Sequence, residues 1–273
     1  GTYIREVEKM IQKESVGKIA TVMGRYWALD RDYRWERTER AYKALTERVG
    51  TLARSAEEAI KKSYEAGKTD EFIEPSIIVS PESKPICLIS DNDSVLFFNF
   101  RIDRPRQLTK AFVYKDLDEG EAREQEFDPY AVKYFHKHDV RRSAKSPFKR
   151  TKTLSNLFFV TMTEYSKAIT DAGARAAYPP EVVKLPLGRI LSENGLIQLR
   201  ATESEKERFV TYYFDGQRGT AFAGVEKLII PSPPVKTYDL KPEMSSVELT
   251  LAVVDRIRSR EELQFVVVNY PNP

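Results

Sequence analysis

Apolar positions along the chain fall into short runs that alternate with segments of helical period. That alternation predicts an α/β fold. Tyr3–Glu14 carries a helical pattern, and Lys18–Met23 is a short strand candidate. Tyr33–Arg48 returns to the helical period, with Trp35, Tyr42 and Leu45 among its apolar positions. Ser55–Tyr64 is a further helix, with Gly67 as its stop. Ile77–Val79 and Pro85–Ile89 read as strands around a Ser80–Lys84 turn, and Val95-Leu96-Phe97-Phe98 as a buried strand. Gln107–Phe112 is helical, and Leu157–Met162 is another apolar strand.

Tyr178-Pro179-Pro180 and Lys184-Leu185-Pro186 then punctuate the chain as a linker would. At this length the chain could hold one large domain or two. Beyond the linker the pattern predicts a helix from Gly188 and strands at Ile197–Ala201 and Val210–Phe214. A helix at Val247–Ile257 and a strand at Gln264–Asn269 complete it.

Two strand-to-helix junctions carry paired arginines. Arg101 and Arg104 follow the Val95–Phe98 run, and Arg25 and Arg31 follow the Lys18–Met23 run, with Gly24 read as permitting the turn. Ligands of open α/β sheets bind outside the carboxyl ends of strands. Guanidiniums beside a helix N-terminus suit a phosphate or carboxylate, because fork geometry and dipole both favour an anion. The plainer reading, that these arginines simply pair with neighbouring acids, stays open on the residues alone.

Composition narrows the picture. At 41% hydrophobic and 31% charged residues the 273-residue chain has the make-up of a globular protein. No apolar run is long enough to cross a membrane, and no secretory signal stands at the start. Lys and Arg number 44 against 41 Asp and Glu, a net charge of +3 that gives no ground for a nucleic-acid partner. Locally, Lys133–Lys152 is basic with Tyr134, Phe135 and Phe148 interleaved; it reads as a solvated insertion, partly neutralised by the acidic Asp116–Glu126. His136 and His138 would share one face of a strand, but two ligands without companions make a poor metal site. Cys87 is the single cysteine, read as a small buried residue, so no internal disulfide can form.

The arginine segments have a wider resemblance. GRYWALDRDYRWER (Gly24–Arg37) and DNDSVLFFNFRIDRPRQLT (Asp91–Thr109) resemble signature segments of the cofactor-independent phosphoglycerate mutases. Gly188–Glu205 continuing into Lys206, Phe209–Gly216 and Ile230–Ser245 resemble further blocks of that family, in the family's order. The resemblance implies a substrate-binding transferase domain over 1–180 and part of an alkaline-phosphatase-like domain over 181–273. It implies interconversion of 3-phosphoglycerate and 2-phosphoglycerate through a phosphoserine intermediate with two divalent metal ions, usually manganese. Arg25 and Arg31 match substrate-contacting arginines, Arg101 and Arg104 match arginines that hold phosphate or carboxylate, and Lys206 matches a catalytic lysine near the transferring phosphate. Without that motif, Lys206 would read as an ordinary solvated lysine.

The chain also departs from the family pattern. The serine nucleophile, an early His and an Asp/Arg pair are missing, and the chain stops at Pro273, where a metal-binding aspartate would follow. The expectation is therefore a chain truncated at both ends, without a complete metal site and inactive alone. A cytoplasmic monomer acting on a small-molecule substrate, with no nucleic acid and no membrane, is the further expectation. The alternative is a non-catalytic anion-binding relative that kept the arginines.

Overall fold

The computed structural model describes residues 1–31, 33–118, 147–218, 221–235 and 238–271. The chain forms two compact units, Gly1–Pro180 and Glu181–Pro273. Both mix helices with largely parallel sheets, so the α/β class holds.

The first unit opens with α1 (Thr2–Glu14), β1 (Thr21–Val22), α2 (Arg25–Ala28) and α3 (Trp35–Thr46). β2 (Thr51–Ala53), α4 (Ala56–Glu65) and β3 (Ser76–Ile78) follow. Ser55 caps α4 by accepting from Glu58 N at 3.1 Å, while the Glu58 carboxylate accepts from Arg54 N, and Gly67 at φ 73° lets the chain leave the helix. β3 lies between β1 and β2, antiparallel to the first and parallel to the second. β4 (Ser94–Phe97), α5 (Arg106–Val113), β5 (Phe158–Thr161), α6 (Lys167–Asp171) and β6 (Arg175–Ala176) complete the unit, with the strands forming a parallel sheet in the order β4-β5-β6.

The core of this unit is aromatic. The buried stripe of α3, with Trp35, Thr38, Ala41 and Tyr42, meets Leu108, Ala111 and Phe112 of α5 over Phe159 of β5. Tyr42 and Phe112 rings stand 4.9 Å apart, and Phe112 and Phe159 rings 5.6 Å, within the range where edge and offset contacts add to burial. Phe148 joins this core, 5.8 Å from Tyr42, rather than standing out from the basic run as a stacking platform. The rest of that run, with His136 and His138, lies outside the described residues.

Several expectations need correcting. β4 is not buried on both faces: Val95 and Phe97 pack on the core, whereas Leu96 and Phe98 are exposed. Pro85–Ile89 forms only an isolated bridge at Val79 and Pro85, because proline has no N–H with which to extend a ladder. Cys87 is exposed, not buried. Gly24 adopts extended backbone, φ −76° and ψ 160°, so its turn-permitting conformation is not the reason for glycine there.

The second unit holds α7 (Leu187–Glu193), β7 (Ile197–Glu203), α8 (Glu207–Val210), β8 (Val225–Ile230), α9 (Ser246–Ser259) and β9 (Leu263–Asn269). β7 is central and parallel to both neighbours, and Leu199 and Ala201 pack against Leu249 and Val253 of α9. The strand expected at Val210–Phe214 is absent. Thr211, Tyr213 and Asp215 instead donate backbone bonds to Glu207, Arg208 and Thr211, and the strand beside β7 is β8.

That turn is drawn in by a buried ion pair. Arg200 of β7 is fully buried, donates to Gln198 Oε1 at 2.6 Å, stacks 3.9 Å from the centre of the Phe214 ring and lies 3.5 Å from Asp215 Oδ1. Burial pushes the Asp215 carboxyl up against the opposing pull of Arg200, and pushes the Arg200 guanidinium down. Asp215→Ala strands a charge in the interior, so a loss of about 3–5 kcal/mol is expected in denaturant unfolding. An unchanged midpoint with an unchanged slope contradicts the pairing.

Candidate functional site

Of the four arginines singled out by sequence, Arg31, Arg101 and Arg104 lie on two loops of the first unit that the structure ties together, and Arg25 heads α2. Asp30, buried at the end of the first loop, accepts from Arg34 N at 3.0 Å and from Arg34 and Arg37 side chains at 3.3 Å each. This fixes the loop against the start of α3. Arg37 in turn stacks 3.6 Å from the Tyr26 ring centre, and Arg40 4.1 Å from that of Trp27, so α2 is held by cation–π contacts.

The second loop is held by Tyr165. Burial pushes its phenol up to about 12, so the hydroxyl stays protonated and donates to Asn99 O at 2.5 Å and Phe97 O at 3.2 Å. Its carbonyl accepts from Arg106 Nε at 2.5 Å. Between these anchors, the Asn99 side chain accepts from Arg101 N at 2.9 Å, a local turn that lifts Arg101 off the end of β4.

Asp103 joins the loops. Its Oδ2 accepts from Arg31 Nη1 at 2.5 Å across 72 residues of sequence. Arg101 engages the same carboxylate with two donors, Nε to Oδ1 at 3.1 Å and Nη2 to Oδ2 at 3.3 Å. Three further bonds tie the two segments. Arg104 Nη1 donates to Leu29 O at 3.2 Å, and Gln107 accepts from Tyr33 N at 3.0 Å while donating to Thr38 Oγ1 at 2.7 Å. Burial pushes the Asp103 carboxyl up, but the guanidiniums of Arg101 and Arg31 together outweigh it and hold it well below the usual carboxylate range.

Arg25 stands apart from this trio. It heads α2, is exposed, and pairs with Glu71 at 3.1 Å. The plainer sequence reading thus describes Arg25, Arg31 and Arg101 as they stand, each on an acid. The Asp103 partner of Arg31, however, is no neighbour in sequence, and it gathers two candidate arginines at one point. Arg104 reaches the first loop with its side chain, at the Leu29 carbonyl.

Lys206 belongs to the second unit. It closes a single 3₁₀ turn, Ser204–Lys206, directly after β7. Ser232, just past β8, accepts from Glu205 N at 3.2 Å and bonds Ser204 Oγ at 3.1 Å, and buried Glu203 accepts from Ser245 N at 2.6 Å. Lys206 Nζ lies 5.8 Å from the Phe209 ring centre. The lysine therefore projects from the carboxyl end of a central parallel strand, where α/β sheets place ligands.

Sequence reasoning missed Asp103, Asp30, Gln107 and Tyr165. Asp103 had a signal, an acid set between two arginines in Arg101-Ile102-Asp103-Arg104, and Asp30 pairs locally with Arg34 and Arg37; Gln107 and Tyr165 are ordinary polar and aromatic residues whose partners lie far along the chain. Among the described residues no three His, Cys, Asp or Glu side chains converge on a point that could hold a metal ion, and no helix is long and apolar enough to cross a membrane.

The family model for the BPG-independent PGAM N-terminus matches residues 1–167. The chain belongs to this family. It is similar to the 2,3-bisphosphoglycerate-independent phosphoglycerate mutase of Chloroflexus aurantiacus, with 43% identity over 99% of this chain and 48% of the relative. The enzyme of the same name from Clostridioides difficile is 42% identical over 99% of this chain and 46% of its own length. A crystal structure of Leishmania mexicana phosphoglycerate mutase at low cobalt concentration matches with a TM-score of 0.61 and 25% identity, over 99% of this chain and 45% of that one. The chain thus spans about half the length of the curated relatives it matches.

Two outcomes follow from the site geometry. A Cβ on Gly24 would stand 2.1 Å from Glu71 O, and Gly24 N donates to Ile73 O at 2.8 Å, so glycine is required by close backbone approach. Gly24→Ala is expected to cost about 1–3 kcal/mol in thermal or denaturant unfolding, as other overpacked positions do. Because the Asp103 carboxyl is depressed, its stabilising contribution is fully present above the ordinary aspartate range, near about pH 4, and is lost as pH falls through the lower folded value. The stability gap between the wild type and Asp103→Asn should therefore persist at neutral pH and close in strong acid; a gap that is flat with pH would refute the assignment.

Proposed function

We propose that this chain supplies the phosphoglycerate-gripping part of a 2,3-bisphosphoglycerate-independent phosphoglycerate mutase, which interconverts 3-phosphoglycerate and 2-phosphoglycerate. The observation that carries the reading is the tie between two arginine loops through Asp103, in a chain whose residues 1–167 match the family. In this reading Arg31, Arg101 and Arg104 bind the phosphate and carboxylate of the substrate, and Arg25 adds a fourth cation at the head of α2. Lys206 neutralises charge on the transferring phosphoryl group. The first unit is the transferase domain, and the second is part of a phosphatase-like domain.

Bound divalent ions, manganese by the family resemblance, would stabilise the charge of that phosphoryl group and activate its nucleophile. The described residues offer no cluster of three metal-type ligands, so none of the roles above is routed through an ion. The same ligand inventory favours a second reading, in which the chain binds phosphorylated acids without turning them over.

A coupled mutase assay with manganese and without bisphosphoglycerate, run beside calorimetric titration with 3-phosphoglycerate, tests binding and turnover by this chain. Binding without turnover by this chain alone is the expected result, and turnover abolished by a chelator would assign it the full reaction. Arg101→Ala should cost about 2–5 kcal/mol of binding, as loss of a charge-assisted bidentate partner does. Wild-type affinity in that variant, or no binding by a folded wild type, would refute the substrate assignment.

A further inference from the structure

Arg31 and Arg101 are long, flexible cations, and bringing two of them to one ligand ordinarily costs side-chain entropy and like-charge repulsion. Here a single carboxylate meets both costs before any ligand arrives. Asp103 takes two donors of Arg101 and one of Arg31, and is itself half-buried and anchored to a loop that Tyr165 and Asn99 fix from the other side. Its engagement is one-sided: Arg101 presents Nε and Nη2 to the acid, and the guanidinium, which has five N–H donors, keeps Nη1 for a ligand. Arg101 is 64% exposed at its side chain even so, which leaves that edge reachable from solvent.

We propose that Asp103 is a positioning residue of the anion site, holding Arg31 and Arg101 from two separate loops in one preset arrangement. This rests on the reading of those arginines as phosphoglycerate-binding groups. Asp103 does not touch the ligand; it acts through the two guanidiniums. Its charge also separates theirs, so the trio carries one net positive charge instead of a bare pair. The competing role has the opposite sign. If the carboxylate merely occupied the place of the substrate's own anion, removing its charge would free the arginines and tighten binding.

Calorimetric titration of the 273-residue chain with 3-phosphoglycerate decides the sign. Asp103→Asn keeps size and removes charge, and should weaken binding about tenfold, the scale expected when two side chains must be ordered by the ligand instead of beforehand. In an Arg101→Lys background the fork that Asp103 grips is gone, so the same substitution should cost about threefold or less. Unchanged or tighter binding in Asp103→Asn, or an equal loss in both backgrounds, overturns the proposal.

A second measurement does not depend on any ligand. In side-chain nitrogen NMR of the folded wild type, Arg101 Nε–H should be protected from exchange, and Asp103→Asn should remove the protection. A rapidly exchanging Arg101 Nε–H in the wild type overturns the proposal even if the variant fails to fold. If the wild type binds no 3-phosphoglycerate while the protection is present, the substrate assignment falls and the clamp stands.

Discussion

A cation-rich loop has to be stable on its own, and carboxylates placed between arginines are how this chain achieves it. Arginines near one another repel, and a loop that carries them without partners would either splay or unfold locally. Asp30 meets Arg34 and Arg37, Glu71 meets Arg25, and Asp103 meets Arg31 and Arg101. Surface ion pairs are worth little singly. These differ because Asp30 is buried, and because Asp103 also closes a long loop in the chain. The aromatic core beneath them supplies the rigidity that turns ion pairs into fixed geometry. Tyr165 packs among Phe97 and Ile169 in that core, and its hydroxyl holds the carbonyls from which the second loop departs.

The second unit solves a related problem inside its core. Arg200 and Asp215 face each other with Phe214 stacked on the guanidinium, and Gly188 leaves the room: a Cβ there would stand 2.5 Å from Arg200 Nη2 and 2.7 Å from Asp215 Oδ1. A buried pair of this kind is weak as a source of stability but strong as a specification of register. It draws the Thr211–Gly216 turn onto β7, the strand whose next turn carries Lys206.

Much of this was legible in sequence, and the limits have physical causes. Helices with a long apolar period, such as Trp35–Thr46, with buried residues from Trp35 to Thr46, and Ser246–Ser259, which buries Leu249 and Val253, were readable from that period. The Val210–Phe214 run was misread because Tyr212, Tyr213 and Phe214 favour strands in general, whereas the tertiary pull of Arg200 on Asp215 sets a turn here. Val95–Phe98 was misread because an apolar run does not reveal how many faces of its sheet are covered. The candidate arginines stood out by chemistry and position, but Asp103 and Tyr165 did not. Tyr165 acts on groups 59 to 68 residues away, and Asp103, beside Arg101 in sequence, takes its second arginine from 72 residues away; no local pattern reports such distances.

The same distances bear on how the site can work. Arg31 follows one strand–helix junction and Arg101 another, so any ligand held by both reports on the packing between α3 and α5. Gln107 ties those two helices directly, from α5 to Tyr33 N and to Thr38 of α3, beneath the Asp103 clamp. A buried amide that donates to one helix and accepts from the chain leading into it has no alternative partner if the helices slide, and leaving it unsatisfied costs about 1–3 kcal/mol. The register of α3 against α5 is therefore fixed below the surface by a neutral bond and at the surface by a charged one. The neutral bond is indifferent to salt and pH, so it holds α3 and α5 in register under conditions that weaken the clamp.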